Sequence, residues 1–153
     1  MKRLCIIPCG SRKIWDTDPA AAGPYAARLV YTGALHRKCR AYAELFVPEW
    51  VILSAKHGFL LPDDEVQGNY NVAFGTNHPD IIPPAELRRQ VEEKGLNRYD
   101  EIVVLGGKKF KGIVPQLFPD KPIAYPLEGS KGIGHMLQRL DQAVQLKREL
   151  AGG

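Results

Sequence analysis

The chain has 153 residues, 44% apolar and 25% charged, with a net charge of +4 at pH 7. That length holds one domain with a proper core, and the composition is that of a globular chain rather than a disordered or fibrous one. No apolar run approaches the roughly 20 residues of a membrane span, and the basic start Met1-Lys2-Arg3 lacks the apolar stretch and cleavage site of a secretory signal, so a cytoplasmic protein with no membrane partner is expected.

The first strand is predicted at 4–8, an aliphatic run that stops at Cys9-Gly10-Ser11-Arg12-Lys13. Small residues let the backbone approach a ligand and two cations lie within reach, which is what a strand end needs to hold an anion. Leu35, Cys39, Tyr42 and Phe46 recur at helical spacing, with Thr32 as the expected cap and Gly33 just inside. The second strand, 50–53, empties into Ser54-Ala55-Lys56-His57-Gly58, a second small and basic strand end. Residues 59–84 then break the rhythm. They are rich in Asn, Asp, Gly and Pro and read as one long binding loop. Pro83-Pro84, Leu87 and Val91 predict a helix that stops at Gly95, with proline at its start and glycine past its end. The third strand, 101–105, ends in Gly106-Gly107-Lys108 and leads to a short helix at about 109–117. The fourth, 122–125, runs through Glu128-Gly129-Ser130-Lys131-Gly132-Ile133-Gly134 into a helix striped by Ile133, Met136, Leu137, Leu140, Ala143 and Val144.

The first three strands are continuous rather than alternating, which predicts cover on both faces. The order predicts an α/β fold: one domain over 1–153, a mostly parallel four-stranded sheet flanked by helices in three layers. In such sheets ligands bind beyond the carboxyl ends of the strands. The strand ends should therefore meet at one phosphate-bearing ligand, with Arg12, Lys56 and Gly132 around a common hollow.

The candidate binding residues are Gly10, Ser11, Arg12, Lys13, Ser54, Asn69, Tyr70, Gly107, Gly129, Gly132 and Gly134; the candidate catalytic ones are Glu128, Lys56, His57, Asp63 and Cys9. Glu128 stands beside the glycines of the last loop, and Asp63 opens Asp63-Asp64-Glu65; either could do acid or base work. Lys56 or His57 would stabilise negative charge on a leaving base. Tyr70, flanked by Asn69 and Asn71, or else Phe59, would stack the base while the amides read its edge. Each has a bland alternative: Gly10 and Gly58 turning the chain, Lys56 in solvent, His57 satisfied in its loop, Tyr70 packed. Of the three cysteines, Cys5 and Cys39 read as core, while Arg12 and Lys13 beside Cys9 would favour its thiolate. The histidines and cysteines lack zinc spacing, and no cofactor motif is present.

Cys9-Gly10-Ser11-Arg12-Lys13, Tyr31-Thr32-Gly33, Leu53-Ser54-Ala55-Lys56-His57-Gly58 and Pro126-Leu127-Glu128-Gly129 together resemble an uncharacterised bacterial and archaeal domain family. More distantly, Pro8-Cys9 with Lys13 is similar to a motif of archaeosine-synthase-type tRNA-modifying domains, and Ser54-Ala55-Lys56 to one in YaaA-type DNA-binding proteins. Lys13 is followed by Ile14-Trp15 in place of the Pro-Tyr of the archaeosine motif, which speaks against lysine transfer. The expected function is an enzyme acting on a nucleobase or nucleotide, by N-glycosidic cleavage or base exchange. The alternative is a non-catalytic DNA- or RNA-binding protein, and a cysteine-based transferase at Cys9 stands third.

Overall fold

The computed structural model describes residues 1–151. In chain order these form β1 (Arg3–Pro8), α1 (Ile14–Thr17), β2 (Tyr25–Ala26), α2 (Ala27–Val30), α3 (Ala34–Phe46), β3 (Trp50–Ser54), β4 (Gly58–Leu60) and β5 (Glu65–Val66). There follow α4 (Pro84–Glu93), a 3-10 turn at Leu96–Arg98, β6 (Glu101–Val104), a second such turn at Lys108–Gly112, α5 (Val114–Leu117), β7 (Ile123–Ala124) and α6 (Ile133–Leu146). Among the described residues no helix is long and apolar enough to cross a membrane.

The main sheet has the order β4-β3-β1-β6-β7. β3, β1, β6 and β7 are parallel, with Ile7 opposite Ile52 and Cys5 opposite Val103. Both faces are buried, as the unbroken aliphatic runs require. Cys5, Ile7, Ile52 and Val103 pack with Cys39, Tyr42, Leu140 and Ala143 of α3 and α6. Leu4, Ile6, Val51 and Val104 pack the other way with Leu87, Val91, Val114 and Leu117 of α4 and α5. Alternate residues along each strand serve opposite layers, giving the expected three-layer α/β domain.

The sheet has a fifth strand that the sequence does not announce. Gly58 at φ +73° turns the chain back on itself, so Phe59 and Leu60 pair antiparallel with Leu53 and Ile52. A side chain at Gly58 would collide with Gln90, whose amide accepts from the Phe59 N–H at 2.8 Å and donates to the His57 carbonyl at 2.9 Å. Gln90 thus satisfies backbone groups along an edge strand. The expected loop at 59–84 is corrected accordingly. It begins inside β4, and Val66 in β5 pairs with Tyr25 of β2, so what remains irregular is the short turn at 61–64 and the segment 67–83.

Two helix details also differ. Gly33, not Thr32, caps α3, and the Thr32 hydroxyl is buried without a partner. The helix at about 109–117 is two short turns, since Pro115 has no N–H to continue a helical ladder.

Candidate functional site

From β1 the chain winds outward to β3, then returns across β1 to β6 on its other side. The winding therefore reverses between β1 and β6, where an open α/β sheet leaves a crevice at its carboxyl edge. A cleft of about 590 Å³ lies there. Cys9, Gly10, Ser11 and Lys13 after β1, and Gly107, Lys108 and Lys109 after β6, form its polar side. Leu35 of α3, Ile133 and Met136 of α6, and Val72 and Phe74 of the irregular segment supply apolar walls. Its charged lining residues are all lysines: Lys13, Lys108 and Lys109. A second hollow of about 510 Å³, lined by Asp16, Asn69 and Tyr70, shares Ser11 and Asn71 with the first.

Lys13 is only 2% exposed. Its ammonium donates to the Ser11 carbonyl at 2.8 Å and stands 4.3 Å from the centre of the Tyr70 ring. Among the described residues no carboxylate makes an ion pair with it. Burial lowers its pKa below that of an ordinary lysine, against the weaker pull of Cys9 and Asp16. A buried ammonium normally has a counter-charge; this one belongs to a residue that lines the cleft.

Tyr70 is fixed by its hydroxyl. Ser54 Oγ accepts the backbone N–H groups of Lys56, at 3.3 Å, and His57, at 3.1 Å. Its two lone pairs are thereby used, so its one proton goes to the Tyr70 oxygen at 2.7 Å. The Tyr31 hydroxyl also bonds that oxygen. Burial pushes Tyr70 up to about 12 and Tyr31 higher still, so both phenols stay protonated at neutral pH. His57 meets the Tyr70 ring edge-on at 4.9 Å, and Lys56, exposed, stands 5.6 Å from its centre. Tyr70 is therefore a fastened wall carrying cations, not the free stacking surface expected. Phe59, the other expected stacker, is wholly buried in the core. Phe74 is the partly buried aromatic residue that lines the cleft.

The expected thiolate at Cys9 is also corrected. Burial raises the thiol's pKa, outweighing the backbone N–H groups of Ala55 and Gly10 and the charge of Lys13. Cys5 and Cys39 are buried, free core residues, as read. His36 donates its Nδ1 proton to the Pro8 carbonyl at 2.8 Å, and burial drives its pKa down to about 4, so the ring is neutral. Among the described residues no group of three or more His, Cys, Asp or Glu side chains is arranged to hold a metal ion.

The two expected carboxylates lie elsewhere. Glu128 is paired with Lys111, and Asp63 is an exposed partner of Arg28 at 3.4 Å; neither lines the cleft. The carboxylate beside it is Asp16. Its oxygens accept the Lys13 backbone N–H at 3.0 Å and the Asn69 amide at 2.9 Å. The Asn69 bond first, then the Lys13 N–H, hold its pKa below the usual carboxylate range. Arg12, Lys56 and Gly132 reach the cleft only through chain neighbours that line it: Ser11 and Lys13, Ala55, and Ile133. Gly129 and Gly134 are absent from its lining too. Asp16 and Tyr31 escaped the sequence reading. Tyr31 carried only the Tyr-Thr-Gly motif, while the spacing of Lys13 and Asp16 is a capping arrangement at α1 that could have flagged the carboxylate.

The model of a family of unknown function, DUF6884, matches residues 4–142. An uncharacterized protein of Bacillus subtilis (strain 168), YfjM, is 54% identical over 151 residues, covering 98% of this chain and 100% of that protein. Both matches span the whole cleft, from Pro8 to Met136. The chain belongs to the DUF6884 family of unknown function.

Proposed function

We propose that the protein is a cytoplasmic enzyme acting on a nucleobase or nucleotide at the N-glycosidic bond, by hydrolysis or base exchange. The observation that carries this reading is the cleft itself: predominantly apolar walls, lysines as its charged groups, and one of them buried with no ion-pair partner among the described residues. Its volume of about 590 Å³ falls within the range of small-molecule sites. Such a surface favours a flat apolar body bearing negative charge. As the bond between the anomeric carbon and the base nitrogen breaks, the electron pair leaves with the base. The Lys13 ammonium, made more acidic by burial, gives the departing base a proton at a ring nitrogen or carbonyl oxygen on its outer edge. Asp16, held ionised, stabilises the cationic sugar from the adjoining hollow. Water, or an incoming base, bonds to the anomeric carbon, and the proton it releases restores Lys13.

Incubation with nucleosides, nucleotides, DNA and RNA, followed by mass spectrometry of released bases, tests the reading. Asp16→Asn should lose turnover while Glu128→Gln keeps it. If no substrate yields free base, the enzymatic reading fails. The second reading, non-catalytic DNA or RNA binding of the YaaA type, is favoured by the lack of a carboxylate in the cleft wall. It requires affinity without product.

A further inference from the structure

The cleft has two cationic ends of different character. Lys13 is buried beneath the strap of residues that carries Tyr70, which is tied to Ser54 at the end of β3. Lys108 and Lys109 are exposed beyond β6. Gly106, at φ +135°, brings the chain so close to the Phe110 ring that a side chain there would lie 3.0 Å from it, and this turn sets both lysines over the strand end. Among the described residues neither makes an ion pair, whereas Lys111 next to them is held by Glu128. β3 and β6 flank β1 in the sheet, so Ser54, which ties the strap over Lys13, and the Gly106-Gly107 turn before Lys108 stand at strand ends about 10 Å apart, two strand spacings. Between them the walls are apolar: Leu35, Val72, Phe74, Ile133 and Met136.

We propose that the cleft takes a nucleoside monophosphate unit lengthwise, with the base edge at Lys13 and the phosphate on Lys108 and Lys109. The inference rests on the nucleotide reading above and adds orientation and substrate class to it. A phosphate dianion keeps much of its water and suits two exposed ammonium groups. A buried, singly charged ammonium in apolar surroundings suits a carbonyl oxygen or ring nitrogen over which one charge is spread. Two strand spacings are comparable to the distance from a nucleotide's phosphate to the far edge of its base. The same unit could be a free nucleotide or one residue of a strand.

The test is calorimetric titration with the four ribonucleoside 5′-monophosphates, the matching nucleosides, ribose 5-phosphate and a short single-stranded oligonucleotide. At least one monophosphate should bind about tenfold or more tighter than its nucleoside. Lys108→Ala with Lys109→Ala should erase that difference and leave nucleoside binding intact. Lys13→Met, or Lys13→Gln should the first not fold, should weaken nucleoside binding and leave ribose 5-phosphate binding unchanged. Tighter binding of the oligonucleotide with the same dependence on Lys108 and Lys109 supports the same orientation within a strand. A phosphate contribution that survives loss of Lys108 and Lys109, or vanishes with Lys13, overturns the orientation and leaves the nucleotide reading standing. Failure of every probe to bind overturns both.

Discussion

Replacing Lys13 by methionine tests whether the free protein carries an uncompensated charge. The variant removes the 2.8 Å bond to the Ser11 carbonyl, a loss of about 1.5–3 kcal/mol for a charged donor, and the ring contact at 4.3 Å, about 1–2 kcal/mol. Against this it removes the desolvation penalty of a cation at 2% exposure, several kcal/mol, in a side chain of similar length. The opposing contributions nearly cancel. The expected change runs from zero to a gain of about 2 kcal/mol, or up to about 8 °C in Tm. A lysine in a buried ion pair would instead cost about 3–5 kcal/mol on removal. The pH dependence sharpens the comparison. Because the folded-state pKa of Lys13 is depressed, the unfolded chain binds more protons between that value and the unfolded pKa near 10.5. The penalty is full below the folded pKa and fades as pH rises through this window. The advantage of Lys13→Met should therefore be largest at neutral pH and shrink toward alkaline pH. Urea denaturation of both proteins at pH 7 and pH 10 measures it. A loss of more than about 1 kcal/mol at pH 7, with unchanged denaturant slope, refutes the claim that the cation lacks a partner.

Gly58→Ala should cost about 3 kcal/mol in urea denaturation, because the added carbon would sit 2.1 Å from Gln90 Oε1 at φ +73°. Adding Gln90→Ala should cost less than the two single losses summed, since the collision with Gln90 is gone and only the one with Ile82 remains. Tyr70→Phe leaves the Ser54 proton without its acceptor and should destabilise by about 1–3 kcal/mol, with faster amide exchange across 67–83 by mass spectrometry. An unchanged exchange pattern would separate the hydroxyl from the strap. His36, held near a pKa of about 4 against 6.5 in the open chain, should withdraw about 3 kcal/mol of stability as pH falls through that interval. His36→Gln should flatten the slope between pH 7 and pH 4 relative to the parent protein.

Aliphatic runs made β1, β3 and β6 legible, with the shorter β7 read beside them, and the spacings of Leu35 to Phe46 and of Met136 to Val144 marked the two long helices of one layer. β4 was hidden because Gly58, Phe59 and Leu60 are too few to display a period, and what stabilises them is Gln90, 30 residues on from Leu60. Lys13 could be named from sequence, but its burial could not, since it depends on Tyr70 folding back over it from the far side of β3. The carboxylates misled for a related reason. Glu128 is close in sequence to the glycines before α6, yet those glycines do not line the cleft, and Lys111 was free to claim the carboxylate.

Tyr70 connects these failures to the chemistry. The strap beyond it lines the cleft, but none of the backbone N–H groups of residues 71–74 finds an acceptor within the described protein. What holds the strap is at its ends: Asn69 on Asp16 and Tyr70 on Ser54 before it, Phe74 against Phe110 after it. A segment anchored at both ends, with no bonded N–H between them, is where local stability should be lowest. Its free N–H groups are also the donors best placed to meet a ligand's acceptors without first breaking bonds of their own. Nucleotide binding should then slow amide exchange at 71–74 more than at 84–93 in α4. Protection spread evenly over both segments would place the ligand's grip outside the strap.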